Sequence, residues 1–295
     1  MPEWLDANLV SVLNGLAIGC LLFTLAVGLS LVFGMMDVLN LAHGAVYLVG
    51  AYVAYALTED GTTWARFAAA LGGGLVLGAL CGAALAAMTQ PLARRGHLDQ
   101  ALLTLGAALV LGELLLLVFG EDVLSVGAPP GLDASVDVTG RAYPAYRLAL
   151  IAAGVALAVA VYVIVERTRI GALIRATVAD RAMVEALGVD SRKVLFGVFC
   201  AGCGLAAVAG VLGGPIYGAR PGLGESVLIL ALVVVVIGGL GSIKGALIGA
   251  LLIGQVESLG RALLPEQASF LLFATMALIL LVRPQGLFGA RAGPA

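Results

Sequence analysis

Four ionisable side chains fall where their neighbours are almost all apolar: Asp37, His43, Glu113 and Glu257. In lipid such groups are costly and mark functional positions by default. Asp37, Asn40 and His43 stand three apart in GMMDVLNLAHG, so neighbouring members share a face if that stretch is helical. With Gly44 they are candidates for a translocation path or its gate. An interfacial polar turn that closes its own hydrogen bonds would use the same residues. Glu113 has no partner nearby in sequence and joins the candidate path, whereas Glu257 lies one turn before Arg261 and can pair with it. Enzymatic readings fare poorly. The chain has 2 histidines, and no zinc-protease helix or nucleophile elbow is present. Cys200 and Cys203 form a CxxC with no further ligand close by for zinc. They are expected, with Cys20 and Cys81, to be small packing residues. GGLGSIKG is not a phosphate-binding loop, because Lys244 is followed by Gly245 rather than Ser or Thr. No cofactor is expected on this chain, and ATP, if used, must be hydrolysed by other subunits.

The elements holding these residues follow from composition. Of 295 residues 61% are hydrophobic and 12% charged, with a mean hydropathy of +1.09. A soluble domain is about a quarter charged, so the solvent around most of this chain is lipid. Apolar runs of about 20 residues cross a bilayer as helices, and they fall near 9–34, 41–58, 66–89, 99–119, 147–165, 194–214, 226–243, 245–262 and 268–283. The expected fold is an all-α polytopic bundle of about eight to nine spans, forming one transmembrane domain over 1–295. The division between the seventh and eighth spans is the least distinct. The 41 glycines are about twice ordinary usage. Several recur at four-residue spacing (Gly15 and Gly19; Gly74, Gly78 and Gly82; Gly241, Gly245 and Gly249), as close helix packing in lipid requires. A net charge of −2 gives no case for nucleic acid.

Basic residues set the orientation. With 90–98 in the cytoplasm, that side carries Arg94, Arg95, Arg167, Arg169, Arg175, Arg181, Arg192, Lys193, Lys244, Arg283 and Arg291, leaving Arg66, Arg141, Arg147, Arg220 and Arg261 outside. The amino terminus is then outside and the carboxyl terminus inside. Because the first basic residue is Arg66, the positive start of a secretory signal is missing.

Two connections are long. The outer one, 120–146, carries Glu121, Asp122, Asp133 and Asp137 around Pro129-Pro130-Gly131, and reads as an ordered extracytoplasmic loop or a passive linker. The inner one, 166–193, alternates charge with Ile170, Leu173, Ile174, Val178, Met183 and Leu187 and ends on Gly188, a plausible helix stop. It predicts one or two amphipathic cytoplasmic helices, suited to the headgroup layer or to a groove on a partner protein.

The segment Gly28 to Tyr55, with Asn40-Leu-Ala-His-Gly44 at its turn, resembles the first hairpin of LivH-type permeases of branched-chain amino acid ABC transporters. The likeness continues through ATVADRAMVEALGVDSRKV, AAVAGVLGGPIYG, VVVVIGGLGSIKGALIGALLIGQVES and RPQGLFG, most of the chain; Asp37 is more polar than that pattern leads one to expect. The resemblance implies a bacterial inner-membrane permease subunit of a binding-protein-dependent importer for branched-chain or other hydrophobic amino acids. It implies pairing with a LivM-type permease, two cytoplasmic ATPases beneath, and an extracytoplasmic substrate-binding protein. It also implies that Gly171 to Gly188 couples to an ATPase, with Arg175, Asp180, Arg181, Glu185, Ala186 and Leu187 in that element. Related permeases carry urea or short amides by the same mechanism. A proton-coupled carrier, with Asp37, His43 or Glu113 as relay, is the competing class, and a passive channel subunit is another.

Overall fold

The computed structural model describes residues 3–36, 39–94, 96–138 and 140–289. Asp37, Arg95 and Arg291 lie outside them. The helices are α1 (Glu3–Met36), α2 (His43–Thr58), α3 (Trp64–Thr89), α4 (His97–Phe119), α5 (Ala145–Arg167), α6 (Arg169–Ala179), α7 (Arg181–Ala186), α8 (Ser191–Tyr217), α9 (Leu223–Gly238), α10 (Ile243–Leu263) and α11 (Ala268–Val282). A two-stranded hairpin, β1 (Ser135–Val138) and β2 (Arg141–Pro144), precedes α5. Each expected span has its helix. Among the described residues, seven segments containing α1, α3, α4, α5, α8, α10 and α11 are long and apolar enough to cross a membrane. The other two, α2 and α9, have 16 residues each. At 1.5 Å per residue that is about 24 Å, short of the roughly 30 Å hydrocarbon layer.

Helices α1 and α8 form the centre, and small residues bring their neighbours close. A Cβ on Gly78 would stand 2.6 Å from that of Ala207, and one on Gly82 would stand 2.8 Å from that of Cys203, so α3 lies directly on α8. Gly19 admits the Ala250 carbonyl and Leu251 of α10, and Gly34 faces Gly241. Cys203 is buried in this core and Cys20 packs where Gly154 leaves room.

The seventh span ends sooner than its apolar run. Gly239 and Gly241 take positive φ values of 97° and 78°, which L side chains rarely adopt. Ser242 then caps α10 by accepting from the Gly245 N–H at 3.0 Å. Residues 226–243 are therefore corrected to Leu223–Gly238. The RPQGLFG segment returns to this corner, where Leu287 and Phe288 N–H groups donate to the Ile237 and Gly238 carbonyls that α9 leaves open.

The 120–146 connection is ordered over its described residues. Leu124 pairs with Ala219, Trp64 Nε1 donates to the Pro130 carbonyl at 3.2 Å, and the Tyr146 hydroxyl donates to the Leu212 carbonyl at 2.7 Å.

Candidate functional site

The stretch before α2 is a turn and not helix. Asn40 and His43 therefore do not share a helix face. Asn40 Oδ1 accepts from the Ala42 N–H at 3.1 Å, its carbonyl accepts from the His43 N–H at 3.2 Å, and Nδ2 reaches Cys203 Sγ at 3.5 Å. Cys203 stands near the middle of Ser191–Tyr217. The turn is thus sunk halfway along α8, deeper than an interfacial turn would lie. Non-helical backbone at that depth persists only when its polar groups are satisfied. Thr104 of α4 does this: the Leu41 N–H donates to its hydroxyl at 3.2 Å, and that hydroxyl lies 3.3 Å from the Leu39 carbonyl.

His43 fixes the start of α2 to α1. Its Nε2 lies 3.0 Å from the Leu25 carbonyl, an acceptor only, so Nε2 carries the proton. The ring is 0% exposed and Nδ1 has no partner among the described residues. This geometry gives His43 a clamping role and no opening to solute. Replacing it with Ala removes a bond to a carbonyl that also serves its own helix, leaves a cavity, and should cost about 2–4 kcal/mol. Melting temperature and transport should fall together, while His43→Gln, which keeps a donor, should retain most of both. Transport lost at full stability would show a direct role instead.

Gly44 brings the starts of two short helices together. A Cβ on Gly44 would overlap the Gly224 carbonyl and stand 2.7 Å from Leu228 Cβ, and one on Gly224 would stand 2.6 Å from the Gly44 carbonyl. Each helix begins inside the bundle with no side-chain cap, at Ala42 for α2 and at Gly222, φ 77°, for α9. Near α9 the Leu223 N–H donates to the Arg220 carbonyl and that of Ser226 to Gly222. The N–H groups of Gly44, Ala45, Gly224 and Glu225 have no acceptor among the described residues. Two positive helix ends therefore converge at one depth.

A groove of about 180 Å³ opens beside them. Its walls are α2 from Gly44 to Tyr52, α4 from Leu105 to Leu116, and the start of α9 from Pro221 to Leu228. Glu113 lines it, as does Glu225, which the sequence reading passed over because it lay just outside the expected span. Both are exposed, and neither makes an ion pair among the described residues. Tyr52 and Thr104 were also missed; nothing in their sequence neighbourhood marks them. Glu257 stands elsewhere, paired with Arg261 at 2.6 Å on α10.

The 166–193 connection is two helices. Thr168 caps α6 by accepting from the Gly171 N–H at 3.1 Å, and Asp180 caps α7 by accepting from Met183 N–H at 2.9 Å. Gly171 has no room for a side chain against the Ile164 and Val165 carbonyls, so it makes the α5–α6 corner. Arg175 braces that corner through the Val165 carbonyl and through Glu166 at 3.5 Å. Arg181 Nε donates to Glu185 and to Ser191 Oγ, 3.0 Å each, and Ser191 donates to Glu185. Those contacts, from Ser191 first and then Arg181, hold the Glu185 carboxyl below its ordinary range. Gly188 ends the element with φ 83°. Ala186 is exposed, Val184 is buried beneath α7, and Met183 and Leu187 project from it, 58% and 73% exposed.

Comparison with known proteins places this architecture. The family described as branched-chain amino acid transport system, permease component, matches residues 11–282. The chain is 31% identical to the high-affinity branched-chain amino acid transport system permease protein LivH of Escherichia coli, over 98% of each chain. It is 28% identical to the permease protein BraD of Pseudomonas aeruginosa, again over 98% of each. A probable LivH of Methanocaldococcus jannaschii is 29% identical over 81% of this chain and 76% of its own. No solved structure gives a significant match.

Proposed function

Because this chain belongs to the permease components of branched-chain amino acid transport systems, we propose that it carries hydrophobic amino acids inward along the groove between α2, α4 and α9. The protein is a multi-pass inner-membrane permease subunit and not an enzyme. ATP is hydrolysed by two separate cytoplasmic subunits, no cofactor is held by this chain, and an extracytoplasmic binding protein delivers the solute. The amino terminus lies outside and the carboxyl terminus inside, as the excess of basic residues on the 166–193 side favours. The whole chain acts as one transmembrane domain.

The observation that carries this reading is a pair of exposed glutamates, Glu113 and Glu225, on a groove at membrane depth. Lipid cannot cover such a face cheaply. A second permease subunit of the LivM type, laid against α4 and the start of α9, encloses it as a path. Asn40, His43 and Gly44 shape this path by holding the start of α2, and Asp37, three residues before Asn40 in sequence, is assigned to the path with them. The α6–α7 element passes ATPase closure to the bundle. Gly171, Arg175, Asp180, Arg181, Glu185 and Gly188 set its shape, and Ala186 and Leu187 meet the ATPase.

The test is uptake of labelled leucine into vesicles holding this chain, the second permease and both ATPases, with binding protein outside. Uptake is expected only with ATP inside and binding protein outside. Uptake without ATP would make the chain a carrier or channel. Active ATPase without leucine uptake would keep the importer and discard the cargo, leaving urea or a short amide.

A further inference from the structure

The groove carries charge of both signs without a single basic side chain. Among the described residues its lining contains no Lys or Arg, and the helix ends at Gly44 and Gly224 supply positive potential within it. Their free N–H groups, two from each helix, lie at two helix starts that touch and line the same groove, an arrangement suited to a carboxylate. Glu225 in the first turn of α9 complements its own helix, but Glu113 sits late in α4, far from that helix's start, and has no such partner. Negative charge is therefore fixed beside the paired positive ends, and the remaining wall is apolar, with Leu105, Leu109 and Leu228 among it.

An independent observation comes from Tyr52. It lines the groove at 1% exposure, its ring stacked on Phe119 at a centroid distance of 4.5 Å. Its hydroxyl is buried with no partner among the described residues. A buried hydroxyl left unpaired costs free energy that a bound polar group recovers. About 180 Å³ is smaller than the pockets that hold drug-sized ligands and suits a small solute.

We propose that this groove is a binding station for a zwitterionic amino acid, its carboxylate on the N–H groups of Gly44, Ala45, Gly224 and Glu225 and its ammonium between Glu113 and Glu225. Tyr52 donates to or accepts from the polar end, and the aliphatic tail lies on the leucines. This rests on the importer reading and goes beyond it, since the permease itself selects a zwitterion over a neutral amide of the same shape.

The experiment measures equilibrium binding of tritiated leucine to the purified permease–ATPase complex without binding protein, on preparations also assayed for leucine import. Leucine should displace the label and 4-methylpentanamide should not. Losing charge-assisted hydrogen bonds should weaken binding about tenfold in the Glu113→Gln, Glu225→Gln double variant. Tyr52→Phe, which keeps the stack on Phe119, should weaken it about threefold or more and decides the matter if the double variant does not assemble. Wild-type complex that imports leucine but binds none, equal displacement by the amide, or unchanged binding in the variants overturns the station alone. Wild-type complex that imports nothing overturns the importer reading and the station with it.

Discussion

A complex carrying Gly44→Val is expected to insert normally and to lose at least about tenfold of its leucine import. The new side chain would meet the Gly224 carbonyl and Leu228 Cβ, and the first of these is backbone inside a helix that cannot rotate away. Gly224 offers no relief, because the approach is mutual. Overpacking of this kind costs about 1–3 kcal/mol, and here the strain falls where two helix ends must stay together. Prising α2 from α9 would also swing the free N–H groups off a common target. Gly72→Ala is the matched control, since a Cβ there has nothing within 4 Å. Import measured in parallel at equal membrane abundance separates the two. Equal import by both variants would show that contact between the two helix ends is dispensable.

The sequence made the spans legible because lipid demands long apolar runs, and no competing principle produces nine of them. It also made the glycine contacts legible. Gly74, Gly78 and Gly82 recur at the interval that lines one helix face, and that face is the one laid on α8. The depth of the first turn was another matter. Nothing in GMMDVLNLAHG distinguishes a surface turn from a buried one, because the same polar residues close a turn in either place. What sinks it is Thr104, more than 60 residues later, whose hydroxyl satisfies the Leu41 N–H. The groove was half legible for the same reason. Glu113 stands out as a charge in an apolar run, but Glu225 acquires its meaning only when Gly224 meets Gly44. In the inner connection the pattern announced amphipathic helices. It could not divide Arg175, Arg181 and Glu185, which brace the chain internally, from Leu187, which is free to meet something else.

That division leads to the second large effect. Leu187→Asp is expected to abolish stimulation of the ATPases by leucine-loaded binding protein and to reduce import about tenfold or more, with the permease fold unchanged. The side chain is 73% exposed at the end of α7, and substitutions at such positions shift stability by about 0.5 kcal/mol or less. Seated in an apolar groove of an ATPase, a carboxylate would have to be buried without a partner, which costs several times more than losing the leucine contact. Glu185 is a poorer probe of the same contact. Its carboxylate accepts from both Arg181 and Ser191, so reversing its charge would unseat α7 from the start of α8 before any partner is involved. Val184→Asp would do the same from beneath, since Val184 is 5% exposed. The comparison is therefore informative by its asymmetry. Leu187→Asp should keep the wild-type melting temperature and lose coupling, whereas Val184→Asp should lose both. Retained stimulation in Leu187→Asp would remove the tip of α7 from the ATPase contact and leave the exposed apolar side chains of α6, Ile170 and Val178, as the element that meets the partner.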